Sequence, residues 1–154
     1  MNANDFIKLL GSTYDDTSVK SLLTTLGITK KPKPSRGDYD AVLTSPKTGV
    51  EVTFTDERFL DVRPKKYDDG ALVVSNIRVY GDGSDFSRFK GEAPHGLSFD
   101  FDRKTALAKM GKKPAWENDE KTSARWDLKT YCVFVDFHGA KKGIASVSVQ
   151  LPVE

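Results

Sequence analysis

One pattern, a helix followed by three strands, occurs twice in this chain, and that repetition limits the fold more than any other feature. Val50-Glu-Val-Thr-Phe54 matches Val133-Phe-Val-Asp-Phe137 at a spacing of 83 residues. Leu23, Leu26 and Gly27 match Leu107, Met110 and Gly111 at a spacing of 84, and Ile77 and Val79 match Val147 and Val149 at a spacing of 70. The order is the same in both halves. The first copy is therefore longer by 13 residues, the difference between 83 and 70, and the added length falls in the charged loop Asp56 to Gly70 of its second hairpin.

The local signals support this division. Phe6, Ile7, Leu9 and Leu10 recur at helical spacing behind Asn4 or Asp5, either of which caps a short helix, and Gly11 stops it. After Asp15 to Ser18, the i, i+3, i+4, i+7 stripe of Val19, Leu22, Leu23 and Leu26 forms a second helix closed by Gly27. Lys30 to Gly37 is a connector, because its two prolines and glycine exclude regular structure and its four cations keep it solvated. Tyr39 to Thr44 and Val50 to Thr55 read as strands paired across the turn Ser45 to Gly49, and Leu72 to Tyr80 reads as a third.

Gly81 to Phe99 is then a glycine-rich hinge whose Phe86, Phe89, Leu97 and Phe99 are expected to pin the halves together. Asp100 or Asp102 caps a helix through Ala106, Leu107 and Met110, ended by Gly111 and Pro114. Ala124 to Leu128, Tyr131 to Phe137 and Gly143 to Leu151 read as three antiparallel strands, with Trp126 in the inward set. The expected fold class is α+β: two tandem helix-plus-three-strand units, 1–80 and 100–154, joined by the hinge 81–99 into one compact body. Three strands with one apolar face need a covering layer, so the helices are expected on one face of a continuous antiparallel sheet and the other face is left open.

The open face is the expected functional surface. Alternation assigns it Arg78, Tyr80, Arg125, Asp127, Phe134 and Asp136 among mostly polar neighbours. Arginine and aromatic side chains are the types most enriched at binding hot spots, and the loop from Asp56 to Gly70 adds Arg58, Phe59, Arg63 and Tyr67 to the candidate set. Trp116, in a loop after Pro114, either covers the helix end or stands exposed as a partner anchor.

Several classes are disfavoured. A net charge of +2 is too small to imply a polyanionic partner, and 38% hydrophobic with 30% charged residues is ordinary for a water-soluble globular chain. The basic loop, with Lys30, Lys31, Lys33 and Arg36, leaves a nucleic-acid or regulatory module as the alternative function, but it lacks interleaved stacking aromatics. His95 and His138 have no metal-ligand spacing, and the lone Cys132 on a strand reads as a small inert side chain. No Gly-x-Ser-x-Gly elbow, phosphate-binding glycine loop or Cys-x-x-Cys pair is present, so no catalytic residue, metal or cofactor is expected and the chain is not read as an enzyme. No stretch approaches the ~20 apolar residues of a membrane span and the N-terminus lacks a signal-peptide pattern, so a cytoplasmic protein with no membrane partner is expected.

Tyr80-Gly-Asp-Gly83, Phe89-Lys-Gly-Glu-Ala-Pro-His-Gly-Leu-Ser-Phe99, Met110-Gly-Lys-Lys-Pro114 and Arg125-Trp-Asp127 resemble small bacterial immunity proteins encoded beside polymorphic or secretion-system toxins. The doubled helix-plus-three-strand pattern is also similar to the repeated unit of beta-lactamase inhibitory protein, whose open sheet grips an enzyme. The resemblance spans roughly Leu72 to Leu151 and departs from the pattern at Ala93 and His95, where more apolar residues are expected. It implies a cognate toxin as partner. Its motifs are turn glycines and core aromatics, so it transfers no binding residues.

Overall fold

The computed structural model describes residues 1–139 and 142–154. Among the described residues, seven strands form one antiparallel sheet: β1 (Asp40–Ser45), β2 (Val50–Asp56), β3 (Leu72–Tyr80), β4 (Trp116–Glu117), β5 (Ser123–Asp127), β6 (Cys132–Phe137) and β7 (Ile144–Gln150). Their order across the sheet is β1-β2-β3-β7-β6-β5-β4. Two α-helices, α1 (Thr17–Thr25) and α2 (Arg103–Met110), and three 3-10 helices complete the α+β fold. No helix among the described residues is long and apolar enough to cross a membrane.

Period-two alternation decides which face is buried. Leu43, Val52, Phe54, Ile77, Val79, Trp126, Val133, Val135, Val147 and Val149 are buried together with Val19 and Leu23 of α1, Ala106 of α2, and Phe6, Phe89, Leu97 and Phe99. Each fully buried Val, Leu, Ile or Phe contributes about 1.5–3 kcal/mol from leaving water. Both α-helices end on a left-handed glycine, Gly27 at φ 71° and Gly111 at φ 76°, a conformation that costs glycine no Cβ clash. Asp102 is the cap of α2, its carboxylate accepting from the Thr105 N–H at 2.8 Å. Asp100 instead pairs with Arg88.

Each α-helix is tied at its far end to a strand. The Ser45 hydroxyl donates to the Leu26 carbonyl at 2.8 Å, and the Trp126 indole N–H donates to the Lys112 carbonyl at 2.9 Å. Ser45 lies opposite Val50 and Trp126 opposite Val133, so the two ties occupy matching register positions. The first satisfies a carbonyl that the end of α1 leaves without an intrahelical partner, and the second holds the chain just past the cap of α2.

Two bulges shape the centre of the sheet. Ser75 is unpaired where Thr53 faces Asn76 and Phe54 faces Val74; Ala145 is unpaired where Asp136 faces Ser146 and Phe137 faces Ile144. The bulged carbonyls are used across the β3–β7 junction. Leu151 N–H donates to Ser75 O at 2.9 Å, and Gly81 N–H donates to Ala145 O at 2.8 Å.

The structure departs from the expected elements in three places. The first helix is a 3-10 helix, Ala3–Leu9, capped by Asn2 and not by Asn4 or Asp5. Its tight winding follows from anchoring at both ends, by the bond from Ala3 N–H to Glu92 O and by the bonds of residues 11–14 to β3. β4 is a two-residue edge strand, too short to leave a periodic signal. Phe86 is not part of the core with Phe89, Leu97 and Phe99; it stacks on Tyr80 at a centroid distance of 4.1 Å.

Candidate protein-binding face

The register aligns the uncovered side chains in rows across the sheet. The middle row runs Thr44, Glu51, Arg78, Ser148, Phe134, Arg125 and Trp116, one residue from each strand. One flanking row is Tyr80, Ser146, Asp136 and Ser123; the other is Val42, Thr53, Asn76, Gln150, Cys132 and Asp127. Ser148 is 1% exposed and Ser146 4%. The small serines of β7 therefore lie at the bottom of a shallow trough whose walls, Arg78 and Tyr80 on β3 and Phe134 and Asp136 on β6, close over them.

Hydrogen bonds fix these walls. The Ser123 and Ser146 hydroxyls donate to the Asp136 carboxylate at 2.6 and 3.2 Å, and the Tyr80 hydroxyl donates to Glu51 at 3.0 Å. The Arg78 Nε–H donates to the Ser148 hydroxyl at 3.0 Å. Arg125 Nε lies 2.9 Å from the Asp127 carboxylate. Burial raises the Tyr80 hydroxyl above its ordinary pKa, so it remains a protonated donor at neutral pH.

Two stacked aromatic pairs flank the trough, and a third lies at the margin of the sheet. Trp116 covers Phe134 at 5.8 Å, Phe86 covers Tyr80, and Phe59 covers Tyr39 at 5.0 Å. Phe59 is 53% exposed and Trp116 41%. Phe59 and Tyr39 also border a hollow of about 300 Å³ floored by Thr53, Asn76 and Gln150. The exposed aromatic members are broad contact surfaces already held in place by their partners, which limits the entropy lost on binding.

The loop after β2 divides its four candidates. Arg58 and Phe59 reach the margin of the open face, Arg58 held to Asp56 at 2.6 Å. Tyr67 turns toward the helices, its hydroxyl donating to Gly11 O at 2.6 Å. Arg63 follows it, facing the Tyr67 ring at 5.9 Å and pairing with the buried Glu57 at 3.1 Å. Arg78, Tyr80, Arg125, Asp127, Phe134 and Asp136 do share one face. Phe86 and Trp116 extend it: the sequence leaves Trp116 either covering the helix end or standing exposed, and no signal in it places Phe86 on this face.

Neither the cysteine nor the basic loop changes this picture. Cys132 is buried, its thiol donates to Asp127 at 3.1 Å, and burial pushes its pKa up to about 11, so it stays a thiol. That bond, with Arg125 beside it, holds the Asp127 carboxyl below its ordinary value. Lys31 of the basic loop stands over the Tyr14 ring at 5.8 Å, in a cleft where Lys65 and Lys66 alternate with Asp15, Asp68 and Asp69. That mixture offers a polyanion little net attraction. Comparison with protein-family models, curated proteins and solved structures finds no match to this chain.

Proposed function

We propose that this chain is an immunity protein that binds a bacterial toxin through the open face of its sheet and neutralises it by covering the active site. The observation that carries this reading is the pair of aromatic stacks flanking a half-buried arginine on a hydrogen-bonded sheet, with a third stack at the sheet margin, the composition and rigidity of a protein-binding hot spot. The resemblance of the connector and second half to immunity proteins supplies the class of partner.

In this reading the chain is two copies of one helix-plus-three-strand unit related by an approximate twofold axis between Arg78 and Ser148. The support is geometric. Ile77 faces Val149 and Val79 faces Val147, which the 70-residue spacing makes equivalent pairs. Val52–Ile77 and Val50–Val79 correspond in the same way to Val135–Val147 and Val133–Val149. The bulges at Ser75 and Ala145 are also 70 positions apart, as are Gly81 and Leu151, which donate to them. Bulges are specific structural devices, and such agreement has no reason to arise between unrelated hairpins.

The two faces keep this symmetry to different degrees. Inward pairs are alike: Val50 with Val133, Val52 with Val135, Phe54 with Phe137. Outward pairs differ in charge and shape: Glu51 with Phe134, Arg78 with Ser148, Tyr80 with Gln150. Packing constrains the first set, while the second is adapted to one asymmetric partner bound in a single orientation. Co-expression with the toxin encoded beside the gene is expected to protect the cell and yield a 1:1 complex on copurification. Continued killing with no copurified toxin refutes the reading.

A further inference from the structure

Seven arginines occur in this chain, and five have a carboxylate at ion-pair distance: Arg58 on Asp56, Arg63 on Glu57, Arg88 on Asp82 and Asp100, Arg103 on Glu117, and Arg125 on Asp127. Arg36 lies in the exposed basic loop. Arg78 is different. It is half-buried at the centre of the sheet, yet none of the ion pairs among the described residues includes it, and every Asp and Glu of the chain is among those residues.

An acidic residue stands next to it without reaching ion-pair distance. Glu51 lies directly across from Arg78 in the β2–β3 register, the position from which an opposite charge ordinarily pairs. Its carboxylate instead accepts from the Tyr80 hydroxyl at 3.0 Å. Ser148 engages only Nε of Arg78, which fixes the direction of the side chain without neutralising it. The terminal nitrogens of a guanidinium form a planar fork matched to a carboxylate, and partial removal from water makes an unneutralised fork a receptor for one.

We infer that Arg78 receives an aspartate or glutamate side chain of the partner protein, docked above the serines of β7 between the Tyr80–Phe86 and Phe134–Trp116 stacks. This rests on the immunity reading and adds the chemistry of the contact. The aromatic pairs on either side would keep water from the ion pair, the arrangement in which a charged contact at an interface contributes most. Arg125 lies in the same row but is already held by Asp127, so it is an ancillary contact.

The test is calorimetric titration of the purified chain and its variants with the toxin encoded beside it, at low and high salt. Arg78→Gln is expected to weaken binding about 30-fold or more and to flatten its salt dependence. Arg78→Lys recovers part of the loss, because an ammonium keeps the charge without the fork. Arg125→Gln has the smaller effect. Among Asp/Glu→Ala variants of the toxin, one weakens the wild-type complex strongly and adds little further loss with Arg78→Gln, the signature of a shared contact. Melting curves confirm that each variant is folded. If wild type binds and folded Arg78→Gln binds within about twofold of it, the size of a surface charge of no consequence, the carboxylate inference is overturned and the immunity reading stands. If wild type forms no complex, the reading falls and the inference falls with it.

Discussion

Trp116 lies nearly parallel to Phe134, with ring centroids 5.8 Å apart and planes 24° apart, so the outermost strand of the sheet presents a large aromatic surface held by its neighbour. The tryptophan belongs to a two-residue strand at the sheet edge and is 41% exposed, so little of the fold depends on it. Trp116→Ala is therefore expected to change the unfolding free energy by about 1 kcal/mol or less, as for other exposed side chains, while weakening the proposed toxin complex by about 2 kcal/mol or more. Parallel denaturation and titration measurements separate the two. A variant that loses stability and binding in proportion would assign Trp116 to the fold.

Phe86 and Phe89 lie three residues apart in the connector and are expected to behave oppositely. Phe89 is buried beside Phe6, ring centroids 6.1 Å apart, whereas Phe86 is half-buried over Tyr80. Phe89→Ala should cost about 3–5 kcal/mol of stability, the usual range for emptying a core aromatic site. Phe86→Ala should leave most of the stability and weaken the proposed complex, because it removes the ring stacked on Tyr80 beside Arg78. Chemical denaturation of both variants, followed by titration of whichever remains folded, checks the pair.

These two phenylalanines also mark how far the sequence carries. Alternation identified the strands and the buried face, since a side chain one position out of step would expose Val50, Val52 and Phe54 together. The matched spacings fell on segments that do form strands, because core valines and phenylalanines can occupy few other positions. The bulges at Ser75 and Ala145 were hidden, as each is defined by a partner strand distant in sequence. The same holds for Phe86, placed by Tyr80, and for Tyr67, placed by the Gly11 carbonyl 56 residues away. No local pattern reports such a contact. The trough was partly legible as a list of outward residues, but the diversion of Glu51 to Tyr80 depends on side-chain direction.

Gly49 closes the β1–β2 hairpin with φ at +75°, and the connector passes directly over it. A Cβ there would run into the Ser87 carbonyl oxygen and lie 2.8 Å from the Phe89 N–H nitrogen. Both obstacles are backbone, so neither yields by a rotamer change. Gly49→Ala is expected to destabilise the chain by more than the roughly 1 kcal/mol of an unfavourable φ alone, and to increase proteolysis of the 81–99 connector. Limited proteolysis with mass mapping gives the second readout. Gly27, also at positive φ but with open space around it, is the control whose Ala variant costs less.

His95 provides the pH dependence. It sits at φ 59°, its backbone N–H donates to the Asn4 side chain at 3.0 Å, and its ring meets the Tyr131 hydroxyl at 2.7 Å, so it joins the N-terminal helix, the connector and the start of β6. Burial holds its pKa below the ordinary 6.5. The folded chain therefore binds fewer protons than the unfolded chain between the two values, and stability rises with pH across that window. Its contribution is complete above 6.5 and is lost as pH falls toward the lowered folded value. Asp102 and Asp127, whose pKa values are lowered from 3.8, act in the same direction only at more acidic pH. Urea midpoints measured downward from pH 7.5 should thus begin to fall near 6.5, before these carboxylates titrate, and His95→Gln should remove that early decline while keeping the acid limb. An unchanged early decline in His95→Gln would assign it to another group.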